Sequence, residues 1–164
     1  MANTIHCVGC GATVEATPGP IHRYMTATPA CWAIYGELNA HLLSNPNAAG
    51  YRQWCVDAYA VQHPGEPNEQ AIQSVAAHLL SLYSTLVLEM PINKAPSVIS
   101  RVTSRKGRYR WLPPPSTHTM TIVDVVRNHH RLDEVAREWA RAAWDAWRPH
   151  HEEVKTWHSD LFVR

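Results

Sequence analysis

The sequence predicts an all-α fold, a helical bundle that follows an irregular N-terminal segment. From residue 31 onward, apolar residues recur at the spacing of an amphipathic helix, whereas the period-two alternation of strands is rare. Residues 1–30 show little periodicity and carry the Gly-Pro punctuation Pro18-Gly19-Pro20. A chain of 164 residues is long enough for one core, so we expect a single domain made of segment 1–30 and bundle 31–164.

Three helices are predicted in the first half of the bundle. The first spans 31–44 and ends at Asn45-Pro46, with an apolar stripe formed by Trp32, Tyr35, Leu38 and Leu42. The second runs from about 48 to 62 and ends at His63-Pro64, because a residue before proline is pushed out of the α region. The third is capped by Asn68 and stops before Pro91.

Shorter elements and one long helix are predicted in the second half. Residues 96–104 form a short helix, and residues 105–115 form a basic, proline-rich loop. Thr121 and Asp124 resemble a capping box that opens a brief helix ending at Asn128. The last helix begins near Leu132, and Pro149 should kink it.

Composition restricts the classes of partner. The formal net charge of +1 gives no global field that favours nucleic acid or an anionic membrane. The apolar stretches are too short to span a membrane, and the start of the chain lacks the features of a signal peptide. We therefore expect a cytoplasmic protein whose four cysteines stay reduced. Seven Trp, one Phe and 11 His are unusual numbers for this length.

The segment Cys7-Val-Gly-Cys10-Gly is typical of the first half of a zinc knuckle. We expect His22 and Cys31 to complete a closed, structural zinc site that staples the N-terminal segment to the bundle. The spacing of these two residues is wide for a knuckle, so His6 and Cys55 are alternative ligands. The other readings of Cys7 and Cys10 are two reduced cysteines without a metal and a redox pair.

A second constellation lies within the bundle: Asp57, His63, His78, His150 and His151. Histidines that project inward from several helices can build an open site for a second divalent metal. Asp57 can then serve as a ligand, a general base or a partner that orients an imidazole. We expect Asp57, His63, His78 and His151 to be catalytic and His63, His78, His150 and His151 to bind the metal. The alternative is that each histidine is hydrogen-bonded within the core.

The loop at 105–115 combines positive charge with aromatic side chains. Such a loop can bind phosphates, bases or an anionic small molecule, but a balanced net charge favours a solvated loop and argues against nucleic acid. Trp139, Trp144 and Trp147 are expected in the core, and Trp144 is the one that can face a pocket.

Several motifs together resemble a bacterial family known only as a family of unknown function, number 5946. They are CVGCGA, GPIHRYM, PACW, DAYAVQHPG, QSVAAHL, WLPPP and HHEEVKTW. The resemblance implies that the cysteines, His22, His63, His78 and the His150-His151 pair belong to recurring motifs, and it weakens Cys55 as a ligand. A remoter similarity to DinB-like metal-binding bundles is an analogy, because their HxxxH pair is absent.

Two functions from different classes fit these observations. The preferred one is a zinc-stapled metalloenzyme that acts on a small-molecule substrate. The alternative is a non-enzymatic zinc-stapled module that binds a ligand, a protein or a nucleic acid. The sequence does not give the oligomeric state.

Overall fold

The computed structural model describes residues 3–163, so Met1, Ala2 and Arg164 of the expected 1–164 domain lie outside it. The described chain contains two short strands and seven α-helices: β1 (Thr4–His6), β2 (Thr13–Glu15), α1 (Pro29–Ser44), α2 (Arg52–Gln62), α3 (Glu69–Leu82), α4 (Ala95–Thr103), α5 (Ile122–Arg127), α6 (Leu132–Ala146) and α7 (His151–Phe162). The prediction of a mostly helical bundle is confirmed. Within this range, no helix is both long enough and apolar enough to cross a membrane.

The N-terminal segment is not wholly irregular, because β1 and β2 form an antiparallel hairpin. Ile5 pairs with Val14, and Val14 is buried against the bundle. The connecting turn is the predicted knuckle, in which the amide of Cys7 donates to the carbonyl of Ala12 at 2.8 Å. Three-residue strands are too short to display a period of two, so no periodic pattern predicted this sheet.

The predicted caps set the starts of α3 and α5, whereas α2 begins at Arg52 rather than near residue 48, because a 3-10 turn occupies Pro46–Gly50. The side chain of Asn68 accepts a hydrogen bond from the amide of Ala71 at 2.9 Å, which caps α3. Asp124 accepts from the amide of Thr121 at 2.8 Å, as the capping box at α5 requires. Beyond Leu82, a π-helical turn continues α3 to Val87.

The predicted last helix is divided rather than kinked. α6 ends at Ala146, a 3-10 turn occupies Arg148–His150, and α7 begins at His151. Proline has no amide hydrogen to donate to the preceding turn, and Pro149 is placed within this 3-10 turn.

α2 lies at the centre of the bundle, and its last six residues are all buried. Two fully buried tryptophans of the C-terminal region attach to its end. The indole of Trp147 donates to the carbonyl of Val61 at 3.1 Å, and that of Trp139 donates to Oε1 of Gln62 at 3.0 Å. Nε2 of Gln62 in turn donates to the carbonyl of Met120 at 2.7 Å. The end of α2 is therefore fixed by buried hydrogen bonds.

Replacing Gln62 should destabilise the fold. Gln62→Leu leaves the buried indole of Trp139 and the half-buried carbonyl of Met120 without this partner, which should reduce the free energy of unfolding by about 1–3 kcal/mol. Urea denaturation followed by tryptophan fluorescence measures the change. The exposed Gln70→Leu is the matched control and should shift the free energy by less than about 0.5 kcal/mol. An equal effect of the two variants would contradict the proposed network.

Candidate metal centre

Four buried side chains meet where the N-terminal hairpin touches the bundle. They are Cys7 and Cys10 from the hairpin turn, Cys31 from the first turn of α1, and His63 directly after α2. Their ligand atoms all lie within 4.8 Å of one another, and each side chain is at most 3% exposed. The cluster can therefore bind a metal ion such as zinc.

The distances within the cluster match a tetrahedron. Nε2 of His63 lies 3.5 Å from Sγ of both Cys7 and Cys31, and Sγ of Cys10 lies 3.9 Å from that of Cys31. Around a tetrahedral zinc ion with bonds of about 2.3 Å to sulfur and about 2.0 Å to nitrogen, neighbouring ligand atoms lie about 3.5–3.8 Å apart. The side chains thus have the separation that a shared ion requires.

The imidazole of His63 is oriented towards the sulfur atoms by a backbone hydrogen bond. Its Nδ1 donates to the carbonyl of Tyr59 at 2.7 Å, which leaves Nε2 as the nitrogen with a lone pair for a metal. The Tyr59 ring stacks on the imidazole with the ring centres 3.9 Å apart, and its hydroxyl donates to Sγ of Cys31 at 3.7 Å. One tyrosine therefore holds two members of the cluster.

Gly9 allows the knuckle to approach the end of α2. A Cβ at this position would lie 2.1 Å from the carbonyl oxygen of Thr26 and 2.5 Å from Cδ2 of His63. A side chain cannot occupy that space, so the close contact with Thr26 and His63 requires glycine at this position. Gly11 has a different requirement, since its φ of 76° lies in the left-handed region that favours glycine.

Charge within the metal-free cluster is concentrated on one sulfur. Hydrogen bonds from Cys10 and Cys31 hold the pKa of Cys7 well below its usual range. Contacts with Cys10 and Cys7, together with burial, raise the pKa of Cys31. Hydrogen bonding to Cys31 lowers the pKa of Cys10, but the proximity of Cys7 and burial outweigh it and raise the pKa to about 12. Binding of a metal by all three thiolates therefore releases protons.

His22 does not join the cluster, and His63 takes the place expected for it. Nδ1 of His22 accepts hydrogen bonds from the amides of Tyr24 and Met25, at 3.3 and 3.2 Å. Its ring packs edge-on against Trp32. His22 thus shapes the loop before α1. The sequence indicated His63 as a ligand of a second metal and as part of the DAYAVQHPG motif, but sequence distance concealed its approach to the knuckle.

The two alternative ligands also lie elsewhere. His6 shares a hydrogen bond with the hydroxyl of Thr13 at the exposed side of the hairpin. Cys55 is fully buried in α2, where burial, reinforced by the charge of Asp57, raises its pKa to about 12. Cys55 therefore belongs to the hydrophobic core.

The histidines expected to form a second metal site are not brought together. His150 Nε2 donates to the carbonyl of Pro113 at 2.8 Å, and His151 Nε2 donates to the carbonyl of Trp144 at 3.0 Å. The imidazole of His151 also stacks on Trp144, which is buried in the core. Across residues 3–163, the cysteine–histidine cluster is the only group of three or more metal-ligating side chains at ligand distance.

Asp57 and His78 do form a pair. Asp57 is fully buried, and its carboxylate accepts hydrogen bonds from Nδ1 of His78 at 2.7 Å, from Nε2 of Gln53 at 2.8 Å and from the hydroxyl of Ser81. The side chain of His78 is 16% exposed and lines a cavity of 330 Å³ between α3 and α4. Because Nδ1 is turned towards Asp57, Nε2 is the nitrogen that can meet a ligand.

The basic loop is partly tied to α7. The guanidinium of Arg105 donates to the carbonyls of Asp160 and Leu161, and Arg110 pairs with Glu153 at 3.0 Å. Loop and helix border a separate cavity of 540 Å³. Arg105 and Arg110 therefore attach the loop to the bundle.

The fold and the cluster define a helical protein with a buried centre of three cysteines and one histidine that can bind a metal. The sequence profile of the family of unknown function DUF5946 matches residues 5–148. The chain belongs to this family, as its motifs indicated. No curated protein and no solved structure matches the chain.

The two candidate fourth ligands can be separated by mutation. His63→Ala removes a ligand of the cluster, so the purified variant should hold less than one metal ion per chain, whereas His22→Ala should retain the metal. Elemental analysis by mass spectrometry measures the content. Loss of metal from His22→Ala but not from His63→Ala would show that His22 is the fourth ligand, as the sequence predicted.

Gly9→Ala tests the contact between the knuckle and α2. The added methyl group meets Thr26 and His63, so the metal should bind about 10–100-fold more weakly, as when a ligand loses its supporting contacts. Competition with a chromophoric chelator measures the affinity. Gly36→Ala, where a Cβ would have no neighbour within 4 Å, is the control and should leave the affinity unchanged.

Proposed function

We propose that this protein is a zinc-stapled helical enzyme that transfers protons on a small molecule bound beside His78. The proposal has two parts, a structural zinc ion and a separate site for the chemistry. The observation that carries the second part is the 2.7 Å hydrogen bond between Nδ1 of His78 and the buried carboxylate of Asp57. No second metal is included.

The donor set supports zinc with a structural role. Three thiolates and one imidazole are a common closed set for zinc, and four protein ligands leave no position for a substrate. When bound, the ion supplies folding free energy by joining the hairpin, α1 and the end of α2. All four cysteines are free thiols, so a reducing compartment such as the cytoplasm suits this centre.

The environment of His78 supports proton transfer. Asp57 accepts the Nδ1 hydrogen and thereby favours the tautomer and the ring orientation in which Nε2 is the nitrogen left for the cavity. Nε2 can take a proton from a bound molecule and return it at another atom, and the carboxylate then lies next to the imidazolium. His78 is thus the proposed base, and Asp57 is the residue that positions it.

A non-enzymatic binding module is the second candidate. It is favoured by His150 and His151, which hydrogen-bond to backbone carbonyls as packed core histidines do. In that case, the cavity beside His78 binds its ligand without chemistry. The two functions differ in whether His78 changes the rate at which a bound molecule exchanges protons.

Solvent deuterium exchange at carbon tests the enzymatic function. Dihydroxyacetone, a small neutral carbonyl compound, should exchange its α-hydrogens in D₂O faster with the protein than without it, because Nε2 removes and returns the proton. His78→Gln should lower the protein-dependent rate by about 100-fold or more, while the exposed His129→Gln should not change it. Proton NMR measures the rate. Equal rates for the native protein and His78→Gln would rule out His78 as the base.

A further inference from the structure

The wall of the His78 cavity is polar but bears little charge. Its polar members are the amides of Gln70 and Gln73 and the hydroxyls of Tyr24, Ser74 and Thr103. Ala77 and Ile99 supply its apolar part. None of the described residues of the wall is Asp, Glu, Lys or Arg, and only His78 has a side chain that can become cationic. A charged ligand would therefore lose water without gaining a counter-charge from this wall.

Three of the polar groups have fixed roles, and all three are acceptors. Nε2 of Gln73 donates to the carbonyls of Val102 and Thr103, at 3.1 and 3.0 Å, which leaves its Oε1 to accept. The hydroxyl of Thr103 donates to the carbonyl of Ser100 at 3.0 Å, so its oxygen also accepts. In the neutral imidazole, whose single hydrogen is placed on Nδ1 by the bond to Asp57, Nε2 of His78 is the third acceptor.

We infer that the cavity beside His78 selects a small uncharged molecule that presents N–H or O–H donors, such as an amide or a polyol. This inference rests on the proposed function, since it names the substrate class of the same site. The volume of 330 Å³ suits a small molecule. The negative charge of Asp57 does not call for a cationic ligand, because three donors within the protein already satisfy it.

Four probes of similar size separate charge from hydrogen-bonding capacity. Acetamide is neutral and carries donors, N,N-dimethylacetamide is neutral without N–H donors, acetate is an anion, and acetamidinium is a cation with donors. Titrations followed by amide NMR signals of Ser74, Ala77 and Thr103 report binding at the cavity. We expect acetamide to bind at least about tenfold more tightly than each of the others, because unmatched acceptors and unpaired charges are penalised.

A variant tests which residue of the cavity causes the preference for N–H donors. Gln73→Met removes the oriented acceptor and should abolish the preference for acetamide over N,N-dimethylacetamide. Gln70→Met should retain the preference, because the side chain of Gln70 makes no hydrogen bond with the described residues that would orient it. The comparison of the four probes on the native protein needs no variant, so a misfolded Gln73→Met would not remove the test.

The outcomes separate this inference from the function on which it rests. Tighter binding of acetate or acetamidinium than of acetamide would overturn the neutral substrate class. Equal binding of the two neutral probes would overturn the requirement for donors, and the absence of any shift with acetamide would overturn both. In each case, the comparison of deuterium exchange between the native protein and His78→Gln tests proton transfer independently.

Discussion

The approach of three sulfur atoms and one imidazole to a single buried point is the constraint on which the rest of the structure depends. It joins three segments that are distant in sequence: the hairpin turn, the start of α1 and the end of α2. Several thiolates at these distances require a cation, since Cys7 alone is favoured in the ionised form without one. Binding of a metal ion here would therefore be coupled to the folding of the N-terminal segment.

The effect of this junction extends to the cavity beside His78. The loop between the hairpin and α1 contacts Gly65, where a Cβ would lie 2.0 Å from the carbonyl oxygen of Tyr24. The amide of Gly65 also donates to the hydroxyl of Thr26 at 3.3 Å. The same loop supplies Tyr24 to the cavity wall. The metal centre and the cavity thus share one structural element, although no ligand atom belongs to both.

The histidines show how the partner of one ring nitrogen decides the role of the other. In His63, a backbone carbonyl holds Nδ1, and Nε2 points at three sulfur atoms. In His78, a buried carboxylate holds Nδ1, and Nε2 is left to a cavity. In His151, Nε2 itself is hydrogen-bonded to the carbonyl of Trp144, and the ring stacks on the indole of the same residue. Residue type alone therefore could not separate the candidate metal ligand, the proposed base and the packed ring.

The sequence by itself determined most of the helices and half of a cluster that can bind a metal. Local rules sufficed for these, because caps such as Asn68 and the spacing of Cys7 and Cys10 act within a few residues of the chain. Only the tertiary structure decided that His63 rather than His22 completes the cluster and that His78 pairs with Asp57. These contacts depend on how α2 packs against the hairpin turn and α3, and no local pattern encodes that packing.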